Sequence, residues 1–228
     1  ALQNAVSEVG KEEMAIIVRS NKRANLYNQQ LRGRIMWQED EISAGDLLMV
    51  VKNNYHWLKD LPGQEFIANG DILELMEIYE LIDLYEHRFA RVKIRFLDRE
   101  DIQPFESILL LNVLNHPGPS FSFEDQAKLN RIIALDYQDM QSKAAQALAL
   151  KNNPYANALQ VKFAYALTAH KAQGGQWKRV FIEHPWRPEE EVTLDYLRWL
   201  YTAITRAQEK VYLLGFPDEY FGPDAPSF

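Results

Sequence analysis

The sequence predicts an α/β fold, in which a parallel sheet is interrupted by a mostly β insert with a small barrel and a long helix. Short buried strands alternate with helical patterns at both ends of the chain. The middle instead carries several short strands separated by glycine and asparagine turns. We expect the α/β layer over residues 1–37 and 155–228 and the insert over residues 38–154.

The first part of the α/β layer is predicted as a strand, a loop and a helix. Residues 13–18 are continuously apolar after the first position, as is typical of a short buried strand. Arg19, Ser20 and Asn21 end this strand, and Asn21 is a suitable cap for a helix that runs to about Arg32.

The insert is predicted from turns and alternation. Asn69, Gly70 and Asp71 form a turn before one alternating run, and His116 to Pro119 break the chain after the last run. We predict strands over residues 47–51, 72–79, 91–96 and within 105–113. Ser122 then caps a single long helix that extends to about Leu150.

The second part of the α/β layer follows Pro154. We predict a strand over residues 161–167, a buried strand over 180–182, a helix over 194–207 and a last strand over 211–214. Thr193 is a suitable cap for the helix. Its apolar residues recur at helical spacing, which predicts a buried face made of Leu194, Leu197, Leu200, Tyr201 and Ile204.

Composition excludes several classes of protein. The 228 residues are 47% apolar, enough for a sizeable core, and carry a net charge of −7, which argues against a protein that coats nucleic acid with a basic surface. The absence of cysteine excludes disulfides and thiolate metal sites, and we predict no metal site. We find no membrane span or secretion signal, so we expect a cytoplasmic protein.

Charged and polar residues that can bind a ligand lie just after predicted strands. Arg19 follows one strand and the loop of residues 168–176 follows another, and ligands of open α/β sheets bind at the carboxyl ends of the strands. We therefore expect both to face one cleft. Gly174 and Gly175 allow a ligand to approach the backbone closely. Donors suited to phosphates or base edges are His170, Lys171 and Gln173.

Arg206 follows the last predicted helix and offers a planar, permanently charged group that suits a transferring phosphoryl group. Each of these residues also has a purely structural interpretation. A lone arginine at a helix end most often serves the helix dipole or a surface ion pair. The two glycines fit an ordinary turn, His170 fits a hydrogen-bonded structural residue, and Arg19 alone fits a solvated loop.

The combination of these residues resembles superfamily 1 helicases over most of the chain. Residues 165–174, Tyr-Ala-Leu-Thr-Ala-His-Lys-Ala-Gln-Gly, are similar to motif V of that superfamily, and residues 200–207, Leu-Tyr-Thr-Ala-Ile-Thr-Arg-Ala, to motif VI. Residues 18–21 are similar to the shorter motif IV. The insert is similar to the small Src-homology-like barrel of the RecD and Dda branch, whose members move 5′ to 3′ on DNA.

The resemblance implies a role for each candidate residue. Arg206 is the expected arginine finger, and Arg19 a second contact to the γ-phosphate. The implied nucleotide-binding residues are Gln173, Gly174, Gly175 and Gln176, of which Gln176 departs from the family, where glutamate commonly meets the ribose. The implied DNA-binding residues are Thr168, His170, Lys171, Lys52, Asn53 and Asn54. For the last three, ordinary turn residues are an equal alternative.

Aromatic side chains are further candidates for the DNA track. Tyr55, Trp57 and Trp177 could stack on bases, although the interpretation that we favour for each is buried packing.

The sequence contains no Gly-x-x-x-x-Gly-Lys-Ser/Thr loop. We therefore expect the second RecA-like domain of a longer enzyme, inactive alone, with ATP and Mg²⁺ held mainly by an N-terminal RecA-like domain. The implied partners are single-stranded DNA, duplex junctions, that N-terminal domain and nuclease subunits as in exodeoxyribonuclease V, an enzyme of DNA repair. The alternative is a non-catalytic scaffold that retains the RecA-like fold.

Overall fold

The computed structural model describes residues 1–59, 66–185 and 192–221. The chain divides into two compact units. We call residues 1–36 together with 165–228 the sheet unit, and residues 37–164 the barrel unit. The division after residue 164 differs from the sequence-based boundary after residue 154.

The elements are numbered in chain order. The strands are β1 Met14–Val18, β2 Leu47–Val50, β3 Ile72–Leu84, β4 His87–Phe96, β5 Phe105–Leu110, β6 Val161–Phe163, β7 Ala166–Thr168, β8 Trp177–Glu183 and β9 Ala207–Leu214. The helices are α1 Leu2–Val9, α2 Asn21–Arg34, α3 Phe123–Ala134, α4 Lys143–Asn152 and α5 Leu194–Ile204. No helix within the described ranges combines the length and apolar character needed to cross a membrane.

The sheet unit contains a parallel sheet with the strand order β7-β1-β8-β9. All five residues of β1 are buried, because this central strand is covered on both faces. Helix α2 packs against β1 and β7, and α5 against β8 and β9. The predicted α/β fold with a parallel sheet is therefore confirmed.

Helix caps agree with the sequence at one end of the sheet unit and differ at the other. Thr193 accepts a hydrogen bond from the Tyr196 backbone at 3.2 Å, as predicted for α5. For α2 the cap is Ser20, whose Oγ accepts from the Arg23 backbone at 3.2 Å, so Asn21 is the first helical residue instead. The sequence patterns did not predict α1.

Helix α5 shows a larger difference. Its buried residues are Tyr196 and Ala203, while the predicted inner face is exposed at Leu194, Leu197, Tyr201 and Ile204. The helix is apolar on two sides, so periodicity alone gives two candidate inner faces, and the sheet covers the one that carries Tyr196. The helix also ends at Ile204, before the predicted end at residue 207.

The barrel unit contains a five-stranded sheet with the order β5-β4-β3-β2-β6. Leu159, just before β6, accepts a hydrogen bond from the Leu110 backbone at 2.9 Å and donates one to Ile108 at 2.7 Å. These two bonds join the two edges of the sheet and close it into a small barrel.

Two predicted elements are each divided in two. Residues 161–167 form β6 and β7 because Ala164 donates to Leu47 in the barrel, whereas Tyr165 accepts from Ile16 in the parallel sheet. The predicted long helix ends at Ala134, continues as a short 3₁₀ turn, and restarts at Lys143. Ser142 caps the new helix by accepting from the Ala145 backbone at 3.4 Å.

Candidate functional site

The two candidate arginines lie at opposite edges of the parallel sheet. Arg19 directly follows β1 and therefore lies at the edge formed by the carboxyl ends of the strands. Arg206 directly precedes β9, which runs parallel to β8, and therefore lies at the amino edge. The expectation that both contact one γ-phosphate stays a prediction, which their positions at opposite edges do not favour. Helix α5 runs back across the sheet, so it returns the chain to the amino edge before β9 begins.

The loop of residues 169–176 connects these two edges. Thr168 ends β7 beside Val18, at the carboxyl edge. Trp177 begins β8 beside Ala207, at the amino edge. Arg19, Thr168 and His170 therefore form one set, the carboxyl-edge group. Gly175, Gln176 and Arg206 form a second set, the amino-edge group.

The Arg206 side chain is half-buried and oriented by three oxygens. Its Nε donates to the Thr202 carbonyl at 3.1 Å, and one terminal nitrogen donates to the Thr205 hydroxyl at 3.1 Å. The other terminal nitrogen donates to the Gly175 carbonyl at 3.3 Å. An arginine carries five N–H groups. Within the described residues these bonds leave one N–H on each terminal nitrogen, suited to an anion.

The two glycines of the loop are required for different structural reasons. Gly174 has a φ of 89°, a conformation that favours glycine, and no atom within 4 Å of an added Cβ. At Gly175 an added Cβ would lie 2.5 Å from Cη2 of Trp177. Packing of Trp177, which is 8% exposed, thus explains Gly175 without a ligand, and it excludes Trp177 as a stacking platform.

The remaining polar residues of the loop are exposed or half-buried. His170, Gln173 and Gln176 are exposed, and the Gln208 amide donates to Oε1 of Gln176 at 3.5 Å. Lys171 is half-buried, and this burial lowers the pKa of its ammonium group.

The carboxyl edge contains a pocket of about 470 Å³. It is lined by Arg19, Ser20, Arg23, Glu183, His184 and Pro185. The Arg19 guanidinium lies 5.8 Å from the centre of the Trp199 ring, at a distance that allows a cation–π contact. The sequence analysis placed Arg19 at the end of a buried strand as a candidate for ligand binding, but it missed Arg23, Glu183 and His184, which line the same pocket.

Glu183 organises one wall of this pocket. It forms an ion pair with Arg23 and accepts a hydrogen bond from the Tyr27 hydroxyl at 3.0 Å. The hydrogen bond to Glu183 raises the pKa of Arg23, and burial together with the Glu183 charge raises the pKa of Tyr27. Arg23 is therefore held by protein groups rather than available to a ligand.

The barrel unit places three predicted DNA-binding residues along a polar groove of about 360 Å³. The groove lining is Lys52, Asn53, Asn54, Tyr55, Gln126, Asn130, Lys151, Ala156, Asn157, Ala158 and Gln160, without a carboxylate among these residues. Lys52 donates to Gln126 at 3.3 Å, and burial lowers its pKa. A carboxylate-free groove with two lysines is compatible with an anionic strand.

Two of these three residues, Asn53 and Asn54, also form hydrogen bonds that stabilise the local turns. Asn54 donates to the Asn157 carbonyl at 2.8 Å and accepts from the His56 backbone, and Asn53 accepts from the Asn69 backbone at 2.8 Å. These bonds agree with the turn-residue alternative.

The two other aromatic candidates differ in exposure. Trp57 donates through Nε1 to the Asn157 carbonyl at 2.9 Å and packs against the barrel core. Tyr55, by contrast, is 63% exposed, so the packing interpretation is wrong for this residue.

Residues 163–214 match the family described as UvrD-like helicase C-terminal domain. The matched segment contains Arg206 and the loop of residues 169–176, which we call the crossing loop because it connects the two edges of the sheet. The match confirms the resemblance to the C-terminal half of a superfamily 1 helicase. The search of curated proteins found no match.

Two Pif1 helicases are among the solved structures that this chain matches. The Candida albicans Pif1 helicase shares 11% identity with a TM-score of 0.46, over 91% of this chain and 46% of that chain. The Bacteroides Pif1 helicase in complex with ADP-AlF3 and ssDNA shares 12% identity with a TM-score of 0.47, over 90% of this chain and 41% of that chain. This chain therefore spans less than half of either structure.

Proposed function

We propose that this chain, which carries a UvrD-like helicase C-terminal domain at residues 163–214, is the C-terminal motor region of an ATP-dependent DNA helicase. The observation that supports this proposal best is the crossing loop of residues 169–176. It joins the edge that holds Arg206 to the edge that holds Arg19. In this proposal the amino edge meets the nucleotide and the carboxyl edge meets the DNA strand.

At the amino edge, Arg206 acts as the arginine finger. Its guanidinium is already oriented by three oxygens, and the two remaining N–H groups bind the γ-phosphate. The fixed charge stabilises the transferring phosphoryl group, an effect worth about 10³ to 10⁵ in rate. Gln176 hydrogen-bonds a ribose hydroxyl through its carboxamide, and Gln173 and Gly174 complete the nucleotide side of the loop.

At the carboxyl edge, we propose that Arg19 contacts the DNA strand rather than the nucleotide. Its charged group lies beside the pocket of the carboxyl edge and close to the end of β7. Arg19 binds a strand phosphate, and Thr168, His170 and Lys171 follow the strand along the same edge. In the barrel unit, Lys52 binds a phosphate and exposed Tyr55 stacks on a base.

ATP hydrolysis couples to strand movement through the crossing loop. When the γ-phosphate binds Arg206, the force on its guanidinium passes into the crossing loop through the hydrogen bond to the Gly175 carbonyl. The other end of the loop begins at Thr168, so the displacement reaches the DNA contacts. Release of phosphate reverses this movement, and repeated cycles advance the strand.

The main grip on ATP and Mg²⁺ belongs to an N-terminal RecA-like domain in this proposal. The sequence has no phosphate-binding loop, and within the described ranges no cluster of three His, Asp or Glu side chains could hold a metal ion. We therefore expect the 228-residue chain alone to be inactive. Movement from 5′ to 3′, membership of the RecD branch and a nuclease partner remain predictions from the barrel resemblance.

The test separates the two edges by mutating one arginine at each edge, in the longer protein that the proposal implies. Arg206→Ala should lower DNA-stimulated ATP hydrolysis by about 10³-fold or more and leave single-strand binding unchanged. Arg19→Ala should weaken strand binding, lower its salt slope by about 0.7, and leave DNA-free hydrolysis unchanged. The matched control is Arg198→Ala, an exposed arginine on α5 that should change neither property.

Unchanged hydrolysis in Arg206→Ala would remove that residue from the mechanism. If Arg19→Ala lost as much DNA-free ATP hydrolysis as Arg206→Ala, the proposed division of roles between the two edges would be contradicted. If the longer protein bound DNA without hydrolysing ATP at all, the scaffold alternative would replace the motor.

A further inference from the structure

The indole ring of Trp177 occupies the space in which a side chain at residue 175 would begin. A Cβ at that position would lie 2.5 Å from Cη2 and 3.0 Å from Cζ3 of the ring. Carbon atoms in favourable contact are about 3.5 to 4.0 Å apart, so the ring and a Cβ cannot coexist without movement. Because Trp177 is only 8% exposed, its ring has little room to move away.

The same short segment holds Arg206 at two points. The Trp177 backbone N–H donates to the Arg206 carbonyl at 2.9 Å, beside the first paired residues of β8 and β9. The Gly175 carbonyl accepts from the Arg206 guanidinium at 3.3 Å. Residues 175–177 therefore fix both the main chain and the charged group of this arginine.

The contact from Gly175 differs from the other two contacts of the guanidinium. Thr202 and Thr205 belong to the end of α5 and move together with Arg206. Gly175 belongs to the segment that leads into β8, so its carbonyl ties the guanidinium to the sheet. Displacement of the peptide at residue 175 would break this hydrogen bond, and the Arg206 side chain would no longer be tied to the sheet.

We propose that Trp177 is a positioning residue for Arg206. Its ring packs over Gly175 and holds the peptide there, so that the Gly175 carbonyl keeps the guanidinium in the orientation required for a phosphate. The inference rests on the proposed function, in which Arg206 is the arginine finger. Misplacement of a reacting group by about 1 Å can cost about 10²-fold in rate, which sets the expected effect.

The first test uses the 228-residue chain and does not depend on activity. Solvent exchange of the terminal Nη–H protons of Arg206 is measured by nuclear magnetic resonance, because one of these protons bonds to the Gly175 carbonyl, with Arg206→Lys to assign the signal. Gly175→Ala should speed up this exchange, because the new Cβ displaces the ring and the 175 carbonyl. Adding Trp177→Phe should restore slower exchange, since a phenyl ring lacks the far atoms of the indole. Gly33→Ala is the matched control, because an added Cβ there meets no atom within 4 Å.

Folding of each variant is checked by thermal unfolding. Trp177→Phe alone is the milder variant and should also speed up exchange while the chain stays folded. If Gly175→Ala folds and its Arg206 protons exchange at the wild-type rate, the positioning role is overturned. If Gly175→Ala does not fold, a wild-type exchange rate in Trp177→Phe overturns it instead. So would a double variant that stays folded but exchanges as fast as Gly175→Ala.

The second test measures ATP hydrolysis in the longer protein. Gly175→Ala should lower kcat by about 10²-fold and leave KM nearly unchanged. In an Arg206→Lys background the same substitution should add little, because residues that act through one another are not additive. An equal fall in both backgrounds would indicate general loosening and overturn the proposal. If Arg206→Lys itself left turnover unchanged, the proposed function would fail, and the exchange measurement would still decide the positioning.

Discussion

Replacement of Asn28 by alanine should destabilise the sheet unit strongly, because this side chain substitutes for a neighbouring strand. Strand β7 is at the edge of the parallel sheet. The Asn28 amide donates to the Ala166 carbonyl at 3.1 Å, and its Oδ1 accepts from the Ala166 N–H at 2.7 Å. Both residues are buried, with exposures of 3% and 1%. The edge strand is thus paired by a side chain of α2.

The magnitude follows from the two groups that lose these partners. A buried N–H or C=O left unsatisfied costs about 1 to 3 kcal/mol, so Asn28→Ala loses about 2 to 6 kcal/mol at Ala166. Alanine is a better helix former than asparagine, which returns up to about 0.7 kcal/mol. We therefore expect a net loss of about 1 to 5 kcal/mol. That is a large part of the about 5 to 15 kcal/mol that holds a typical domain folded.

The assay is urea unfolding of the chain, followed by circular dichroism. Gln30→Ala is the matched control, because it removes an exposed amide from the same helix and should change stability by less than about 0.5 kcal/mol. Asn28→Asp should be destabilised at neutral pH, where a carboxylate faces the Ala166 carbonyl, and should recover as acid protonates it. Equal midpoints for Asn28→Ala and Gln30→Ala would refute the reasoning.

Two further predictions concern the barrel unit. Ser122→Ala should cost about 1 kcal/mol in urea unfolding, because it removes both hydroxyl bonds of the capping box with Asp125. The hydrogen bonds that the Asp125 carboxylate accepts from the Ser122 hydroxyl and the Ser122 backbone N–H lower the pKa of Asp125. Their contribution to stability is therefore present above the ordinary pKa of this carboxyl and is lost as the pH falls through the folded value. An acid limb identical to that of the wild type would contradict this prediction. Burial and the hydrogen bond to Asp136 raise the pKa of Tyr85 to about 12. The part of the tyrosinate absorbance that is absent in Tyr85→Phe should therefore titrate near pH 12. The stability that protonated Tyr85 contributes should be present below pH 10.0 and lost as the pH rises towards 12. A normal titration of Tyr85 would refute it.

Local sequence signals predicted the elements whose formation depends on near neighbours. The apolar run of β1 gives a strand with every residue buried, and Thr193 and Ser122 cap their helices as predicted. A cap bonds to a backbone group three residues away, so its effect can be read from the sequence. The α/β class follows from the same local patterns.

Elements that depend on distant partners were predicted less well. The run of residues 161–167 is apolar except for Lys162, yet it belongs to two sheets, because Leu47 accepts a hydrogen bond from Ala164 and Ile16 donates one to Tyr165. Helix α5 has apolar residues on two sides, and the position of the sheet determines which side is buried. Tyr55 is exposed although its residue type favours packing.

The amino-acid sequence was sufficient to identify the candidate functional residues, because the loop of residues 168–176 and Arg206 lie within recognisable strings of motif V and motif VI. It also predicted that Arg19 follows one strand and that Arg206 precedes another. The folded structure was needed to place them at opposite edges of the same sheet, because apolar periodicity does not encode which strands pair or in which direction they run. The contact of Trp177 with Gly175 likewise depends on the ring orientation, which packing sets once β8 and β9 are paired.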